Sequence, residues 1–277
     1  MDEAGRRNSA AIVRAEARDL DYDRYLAALL SPADARDDLL ALAAFHGEIA
    51  RIAFTVREPG IGEIRLQWWR DALEAFAPVF DTGAPLADAV RAMTRRAGLP
   101  VGDLIAIIDA YNGLLYPGAL ADAGAISTFV DAAQGAAFRL AALRLGQATS
   151  PGSSDSTAAG EALITAAGQA YGRVQLLRAL PVLCALGRNP FGDGAVAGWQ
   201  PTVQPVMAEA REWLAKARSA RRAAPAYVLP AVLPVALVEP YLAALERLGA
   251  EVASEEAAIS PLSRVWRIFW ARKGGRL

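Results

Sequence analysis

Apolar residues recur at every third or fourth position along most of the chain, which is the period of an amphipathic α-helix. The clearest example follows Ser31, a suitable N-cap residue, and Pro32, which suits the first helical position. The apolar stripe of this helix consists of Leu39, Leu42, Phe45, Ile49 and Ile52. Alternation typical of strands is scarce, so the pattern predicts an all-α protein.

Glycine and proline mark where the predicted helices end. The segment EPGIG, residues 58–62, breaks the first helix, and EIRLQWWRDALEAF, residues 63–76, forms the next. The later helical patterns lie at 85–97, 101–116, 125–146, 161–187, 204–222, 226–248 and 254–272. The last of these is open to an interruption at Pro261.

Two segments read as loops. Residues 146–160, GQATSPGSSDSTAAG, are rich in serine, glycine and threonine, and we expect a flexible loop there. Residues 187–201 form a second loop with several glycines. The first loop could separate two domains, but the helices on both sides share the same alanine- and leucine-rich character. We therefore predict a single domain over residues 1–277.

Composition and charge narrow the class of protein. Hydrophobic residues make up 54% of the chain and the formal net charge is −1, which gives no basis for nucleic-acid binding. Cys184 is the single cysteine, so an intramolecular disulfide and cysteine-based metal sites are excluded. The apolar segment 226–238 is shorter than the roughly 20 residues that span a membrane. The sequence predicts a cytoplasmic protein, with peripheral membrane contact left open.

Three residues of the 63–76 helix are candidates for a binding face. Arg65, Trp69 and Arg70 could present guanidinium groups and an aromatic ring to an anion or a protein partner. In the alternative interpretation, the tryptophan packs inside and the arginines form surface ion pairs, for example Arg70 with Glu74.

The C-terminal segment RVWRIFWARKGGRL combines aromatic and basic residues on a predicted amphipathic helix. Trp266 and Trp270 could therefore contact an anionic membrane surface or a partner. In the alternative interpretation, the helix docks on the protein with a solvated basic face.

Two other polar features attract notice. His46 is the only histidine, and its helical spacing places it at a cavity or its edge, without a neighbouring nucleophile for catalysis. Asp19, Asp21 and Asp23 superficially resemble a calcium loop but lack the glycine turn and the distal glutamate. We interpret these aspartates as helix-capping and surface residues.

The stretch ALAAFHGEIARIAFTVREPGIGEIRLQWWRDAL, residues 41–73, resembles the squalene/phytoene synthase family of head-to-head prenyl transferases. YGRVQLLRALPVL, residues 171–183, is similar to the helix that bears the family's second aspartate motif. The resemblance extends from about Tyr22 to the end of the chain. It implies a single-domain isoprenoid-synthase-type helical bundle around a central cavity.

The family's chemistry requires Mg²⁺, because an allylic diphosphate ionises only when its leaving group is neutralised. The resemblance implies that two aspartate-rich motifs on facing helices supply the oxygen ligands. In this chain the acidic positions of the two motifs are occupied by Ala50, Arg51, Phe54, Val182, Ala185 and Leu186. We therefore expect no metal site, no cofactor and no catalytic residues: a pseudoenzyme.

The same alignment suggests an anion site without metal. It places Arg51 and Arg178 where the two metal platforms of the family face each other, with Gln175 retained from the second motif. Buried arginines need counter-charges, so these two either bind an anion directly or pair with Glu48.

The turn EPGIG followed by RLQWWR resembles a branch of the family that acts in the assembly of respiratory complex I in mitochondria, with alphaproteobacterial relatives. The predicted function is therefore a non-catalytic binding or respiratory-complex assembly protein. Its partners would be a respiratory complex subunit, a membrane surface at the inner membrane, or an isoprenoid or lipid ligand. The alternatives are an active squalene- or phytoene-type prenyl transferase and an isoprenoid or lipid carrier.

Overall fold

The computed structural model describes residues 3–75, 82–149, 157–192, 199–275 and 277, and all regular structure in those ranges is helical. The all-α prediction is confirmed. The α-helices are α1 (Glu3–Leu20), α2 (Tyr22–Leu29), α3 (Ala33–Thr55), α4 (Pro59–Glu74), α5 (Pro85–Ala97), α6 (Val101–Gly113), α7 (Ala123–Val130), α8 (Ala136–Thr149), α9 (Ala158–Ala185), α10 (Trp199–Ala220), α11 (Val228–Val232), α12 (Val238–Leu248) and α13 (Pro261–Gly274).

The start of α3 differs slightly from the sequence prediction. Pro32 occupies the N-cap position and the helix begins at Ala33. The hydroxyl of Ser31 donates to the carbonyl of Ala27 at 3.0 Å, so it closes the end of α2 and does not cap α3. The next break is also shorter than predicted, because α4 already begins at Pro59, a residue suited to the first helical turn.

A π-helical turn joins α7 to α8. It covers Asp131–Gly135 and lies within the segment that the sequence predicted as one helix. An extra residue in a helical turn rotates the side chains that follow, and such turns are frequent at functional sites. Here Gln134 lies within the turn and lines the internal cavity described below.

Glycine allows two close approaches that shape the interior. A Cβ atom on Gly47 of α3 would lie 2.6 Å from the Cβ of Leu20, so glycine lets the α1–α2 junction rest directly on α3. A Cβ atom on Gly168 of α9 would lie 2.8 Å from the Cα of Gly135, which brings α9 against the π-helical turn. Both contacts set the distance between the helices that surround the cavity.

The segment Val228–Ala253 runs through α11, a 3₁₀ turn (Leu233–Leu237), α12 and a second 3₁₀ turn (Gly249–Ala253). It is the one helical run in the described ranges that is long and apolar enough to cross a membrane, with a mean hydropathy of 1.9. Within its most apolar window, 78% is buried inside the protein, as in the core helix of a folded domain. The prediction that the 226–238 segment is buried agrees with this placement.

The two predicted loops are only partly within the described residues. Residues 146–149 belong to α8 and Thr157 caps α9, so the described part of the 146–160 segment is helical at both ends. Residues 150–156 and 193–198 lie outside the described ranges. Buried apolar side chains from α1 to α13 form one continuous core.

Candidate functional site

A cavity of about 450 Å³ lies inside the bundle. Its walls come from α2, α3, α6, the π-helical turn and α9, and the start of α13 closes one side. Polar side chains occupy one part of the wall and apolar side chains the rest.

Five side chains form a closed hydrogen-bonded ring in the polar wall. Arg24 donates to Asp21 at 2.8 Å and also to Gln134. The amide of Gln134 donates to the Tyr111 hydroxyl at 3.2 Å, and that hydroxyl lies 3.4 Å from Nε2 of His46. Nδ1 of His46 lies 3.0 Å from the Asp21 carboxylate and completes the ring. We call this set the polar ring.

Electrostatics fix the protonation states in the polar ring. Burial by itself would raise the pKa of Asp21, but the charge of Arg24 and the hydrogen bond from His46 outweigh it and hold the pKa below its usual range. Burial and the adjacent Arg24 lower the pKa of His46, against the opposing effect of Asp21. We therefore assign a neutral imidazole that donates from Nδ1 to Asp21 and accepts from Tyr111 at Nε2.

A second cluster surrounds Asp23, whose exposed fraction is 4%. Its carboxylate accepts hydrogen bonds from the hydroxyls of Tyr171 at 2.9 Å and Tyr241 at 3.0 Å. Arg264, from α13, lies 3.7 Å away. Burial raises the pKa of Asp23, although Arg264 and Arg178 lower it in part. Burial also raises the pKa of both tyrosines, so they remain protonated donors.

Each guanidinium nitrogen of Arg178 has a hydrogen-bond partner in or beside the cavity wall. Its guanidinium donates to Gln175 at 2.7 Å, to the Glu256 carboxylate at 2.5 Å and to the carbonyl of Ala257 at 2.8 Å. It also lies over the ring of Tyr241, 4.1 Å from the centroid. A guanidinium has five N–H donors, so two remain beyond these three hydrogen bonds.

The remaining wall is apolar. It is formed by Ala50, Phe54, Leu114, Phe129, Leu176, Ala179, Pro181 and Val182. Together with the polar ring, this wall makes the cavity amphiphilic: one part is rich in hydrogen-bonding groups and the other suits a hydrocarbon.

Three buried nitrogen atoms of cavity-lining side chains have no hydrogen-bond partner within the protein. They are Nε of Arg24, Nε2 of Gln175 and Nε of Arg264. A buried donor without a partner costs about 1–3 kcal/mol. Neighbouring protein atoms enclose all three nitrogens, so they do not by themselves identify a ligand.

The structure places the four predicted anion-site residues in two locations. Gln175 and Arg178 line the cavity, as predicted. Arg51 and Glu48 do not: they form a two-bond ion pair at 2.6 and 2.7 Å, and the Arg51 side chain is 43% exposed. The expectation that Arg51 faces Arg178 is wrong, because Ala50 and Phe54 occupy the inner face of α3 and Arg51 is rotated about 100° from Ala50.

The predicted face of α4 is also divided between two environments. Trp69 is only 5% exposed and packs edge-on against Phe45, with ring centroids 5.3 Å apart. Its assignment to a partner-binding surface is therefore wrong, because it belongs to the inner stripe of the helix. Arg65 is exposed, as predicted. Arg70 pairs with Asp109 of α6 and not with Glu74.

Both predicted tryptophans of the C-terminal helix are on the surface. Trp266 is 60% exposed and Trp270 is 50% exposed, and their ring centroids lie 5.4 Å apart. Whether they bind a partner or a membrane stays a prediction.

The sequence interpretation missed most of the polar ring and the Asp23 cluster. Asp21 does cap α2 through the amide of Arg24, and Asp19 is exposed, as expected. Asp23, however, is buried, so its assignment to the surface is wrong. Its neighbours could have signalled this, because Asp23 and Arg24 lie on a short helix that is otherwise apolar and aromatic.

A sequence model of the squalene/phytoene synthase family matches residues 17–191. The protein called NADH dehydrogenase (ubiquinone) complex I, assembly factor 6 from Bos taurus is 36% identical over 92 residues, 33% of this chain. This matched region spans only 28% of the length of the bovine protein. The Mus musculus protein of the same name is 27% identical over 251 residues, 85% of this chain and 73% of the mouse protein.

Two solved structures share the fold. Squalene synthase HpnC from Alicyclobacillus acidocaldarius superposes with a TM-score of 0.64 at 15% identity, over 90% of this chain and 97% of that one. A dehydrosqualene synthase in complex with ligand superposes with a TM-score of 0.71 at 11% identity, over 98% of both chains. These likenesses confirm the prediction of an isoprenoid-synthase-type helical fold.

Proposed function

Because the chain belongs to the squalene/phytoene synthase family, we propose that it is a member that binds a ligand without converting it and takes part in the assembly of a respiratory complex. The assembly role rests on the relatives named complex I assembly factor 6. In this proposal the protein works at or near a membrane that holds the complex.

The observation that carries the proposal is the chemistry of the two cavity walls on α3 and α9. Ala50, Phe54 and Val182 line the cavity at positions where the family resemblance would place aspartates. None of these side chains offers an oxygen to a cation. Mg²⁺ prefers oxygen ligands, usually with at least one or two carboxylates.

The acidic groups that do line the cavity support the same conclusion. Four carboxylates line the cavity: Asp19, Asp21, Asp23 and Glu256. Asp21 is paired with Arg24 and His46, and Asp23 with two tyrosine hydroxyls. Asp19 pairs with Arg18 and Glu256 with Arg178. Within the described ranges no group of three or more histidine, cysteine, aspartate or glutamate side chains is close enough to hold a metal ion. The cavity carboxylates therefore do not fit the Mg²⁺ cluster that the family's chemistry requires, and the proposed function includes no Mg²⁺-dependent step.

The cavity favours an amphiphile with an uncharged head. Its apolar wall suits an isoprenoid or other lipid chain, and the amide groups of Gln134 and Gln175 in the polar wall suit carbonyl, ether or hydroxyl oxygens. The arginine charges already have carboxylate neighbours: Asp21, Glu256 and Asp23. A diphosphate would have to compete with those carboxylates. This ligand class supports the carrier alternative as a second candidate function.

Native mass spectrometry of the purified full-length chain tests ligand binding. We expect a co-purified lipid that is depleted in Gln175→Glu, because this change removes an amide donor and keeps an oxygen for Arg178. Gln67→Glu, on the exposed face of α4, is the matched control and should retain the lipid. Equal lipid content in both variants and the wild type would contradict the assignment of the ligand to this cavity.

Deletion of the gene in the native host, with complementation by each variant, tests the assembly role. We expect loss of complex I activity in the deletion strain and rescue by the wild type. Normal complex I activity and abundance in the deletion strain would contradict the proposed role and leave the carrier function as the better account.

A further inference from the structure

Helix α13 has two apolar faces on opposite sides. Ile268 and Ala271 are buried and attach the helix to the body of the protein. At about 100° per residue, the other apolar side chains fall within an arc of about 140° on the opposite side. This arc, which we call the outer face of α13, consists of Leu262, Val265, Trp266, Phe269 and Trp270.

The outer face is the densest exposed apolar region in the described ranges. Eleven large apolar side chains are exposed in the described part of the chain, and five of these eleven lie on α13. Leu262 is 76% exposed, and the ring of Trp270 contacts the rings of Trp266 and Phe269 edge-on. Contiguous exposed patches of this kind usually mark a contact with a protein or a membrane.

Charge distinguishes between these two partners. Every charged residue of α13 is basic: Arg264, Arg267, Arg272 and Lys273. Arg264 faces the cavity and Asp23, whereas Arg267 and Arg272 fall on opposite edges of the outer face and Lys273 lies at its C-terminal end. Among the described residues, none of these last three forms an ion pair. Glu239, the acid whose pKa Arg267 influences, already pairs with Arg218 at 2.9 Å.

We propose that the outer face of α13 docks on an anionic lipid surface, with the helix axis lying in the plane of the membrane interface. Aromatic and leucine side chains would insert at the boundary between headgroups and acyl chains, and the flanking cations would contact lipid phosphates. This proposal is independent of the cavity ligand, because the outer face and the cavity lie on opposite sides of the helix.

The exposed face of α4 provides a matched control. It also carries exposed apolar residues, Ile61, Ile64 and Trp68. Here charges of both signs accompany them: Glu63 and Asp71 share a surface groove with Arg70, which already pairs with Asp109, and Arg65 is exposed on the same helix. An anionic membrane would repel these carboxylates, so we expect the α4 face to contribute little to lipid binding.

Co-sedimentation of the full chain with phosphatidylcholine vesicles, with and without phosphatidylglycerol, tests the proposal. We expect binding only to the anionic vesicles, weakening as ionic strength rises. Trp266→Ala with Trp270→Ala should weaken binding at least about tenfold, since each buried aromatic contributes substantially. Arg267→Gln with Arg272→Gln should weaken it about tenfold as well. Ile64→Ala with Trp68→Ala should leave it unchanged.

Fluorescence quenching by brominated lipids gives a second readout. We expect quenching of the wild-type protein and its loss in the Trp266→Ala, Trp270→Ala variant, with thermal unfolding unchanged in both. Three results would overturn the proposal: no binding to anionic vesicles, equal weakening by the α4 control variant, or retained vesicle binding together with loss of a dimer or protein complex in the Trp266→Ala, Trp270→Ala variant. The last result would assign the outer face to a protein partner.

Discussion

The cavity wall and the outer surface of this protein use the same residue types in opposite ways. Arg24 is buried against the rings of Phe138 and Tyr171 and neutralises Asp21. Arg51 lies on the side of α3 that faces away from the cavity and pairs with Glu48 near solvent. What separates the two arginines is helical rotation and not residue type. A charge in the cavity wall must be matched by fixed partners, while water can solvate a charge outside it.

The tryptophans show the same contrast between buried and exposed side chains of one residue type. Trp68 and Trp69 are adjacent, so the helix directs them to different sides, and one is 43% exposed while the other is 5% exposed. Trp266 and Trp270 are four residues apart, so they share one face and both are exposed. Spacing decides whether a pair of aromatic residues forms one surface or divides between core and solvent.

The largest effect should come from the buried tryptophan. Trp69→Ala should reduce the free energy of unfolding by about 3–5 kcal/mol, because it leaves a cavity beside Phe45. Trp266→Ala should change it by less than about 0.5 kcal/mol, as for most surface substitutions. Urea denaturation of both variants checks this. Similar losses in the two would remove the distinction between the inner and outer tryptophans.

The arginine comparison should give the next largest effect. Arg24→Ala leaves the buried Asp21 carboxylate without its cation, which typically costs about 3 kcal/mol or more. Arg51→Ala removes an exposed ion pair and should cost about 0.5 kcal/mol or less. Thermal and chemical unfolding of the two variants measure the difference. If Arg51→Ala were as destabilising as Arg24→Ala, the placement of Arg51 on the outer face of α3 would be wrong.

Removing one hydroxyl from the Asp23 cluster should have a smaller effect. Tyr171→Phe deletes a donor to a buried carboxylate and should cost about 1–3 kcal/mol. Tyr116→Phe is a suitable control, because the Tyr116 hydroxyl donates to Glu63 near solvent at 2.8 Å and its loss should cost little. Equal stability of the two variants would indicate that Asp23 does not depend on its tyrosine partners.

The smallest expected effect concerns pH. Burial and Arg24 hold the pKa of His46 below its unfolded value, so the unfolded chain binds a proton near pH 6.5 that the folded protein does not. Stability should therefore fall as the pH drops from about 7.5 to about 5.5, by no more than about 1.4 kcal/mol per pH unit for this single proton. His46 is the only histidine, so His46→Gln should flatten the curve in this window. The raised pKa of Asp23 favours the folded state as the pH falls, which is the opposite direction. This contribution is the same in the wild type and in His46→Gln, so it cancels in the comparison.

If the stability of His46→Gln changes with pH as steeply as that of the wild type over this window, the neutral assignment of His46 is wrong. Matched urea denaturation series at each pH provide the comparison. Asp21 does not interfere, because its pKa is depressed and its contribution is lost only at much lower pH.

The apolar period of the sequence predicted most of the helices, but it missed α1 (Glu3–Leu20). Most observed bounds differ from the predicted ones by a few residues, although the predicted 254–272 helix begins only at Pro261. The family resemblance supplied the arrangement of the bundle. Two residues were assigned to the wrong faces for different reasons: the binding-face interpretation of Trp69 went against its apolar period, and Arg51 was placed by the family alignment. Trp69 continues an inner stripe of Gly62, Leu66 and Leu73, whose helical spacing is already present in the sequence.

The polar groups of the cavity were harder to predict for a different reason. Asp23 accepts hydrogen bonds from residues 148 and 218 positions away, and Arg24 donates to Gln134, 110 positions away. The local sequence shows three aspartates at alternating positions, but it does not show which distant residues hydrogen-bond to them. A buried charge is determined by long-range partners, so only the folded structure separates it from a helix cap on the surface.

The central claim is that the cavity binds without metal-dependent chemistry. Calorimetric titration with a non-reactive farnesyl diphosphate analogue, with and without Mg²⁺, tests it most directly when combined with a turnover assay on farnesyl and geranylgeranyl diphosphates. We expect no Mg²⁺-dependent heat of binding and no release of diphosphate, because Ala50, Phe54 and Val182 provide no oxygen ligands. Tight binding that requires Mg²⁺, or Mg²⁺-dependent formation of a squalene- or phytoene-type product, would contradict the account.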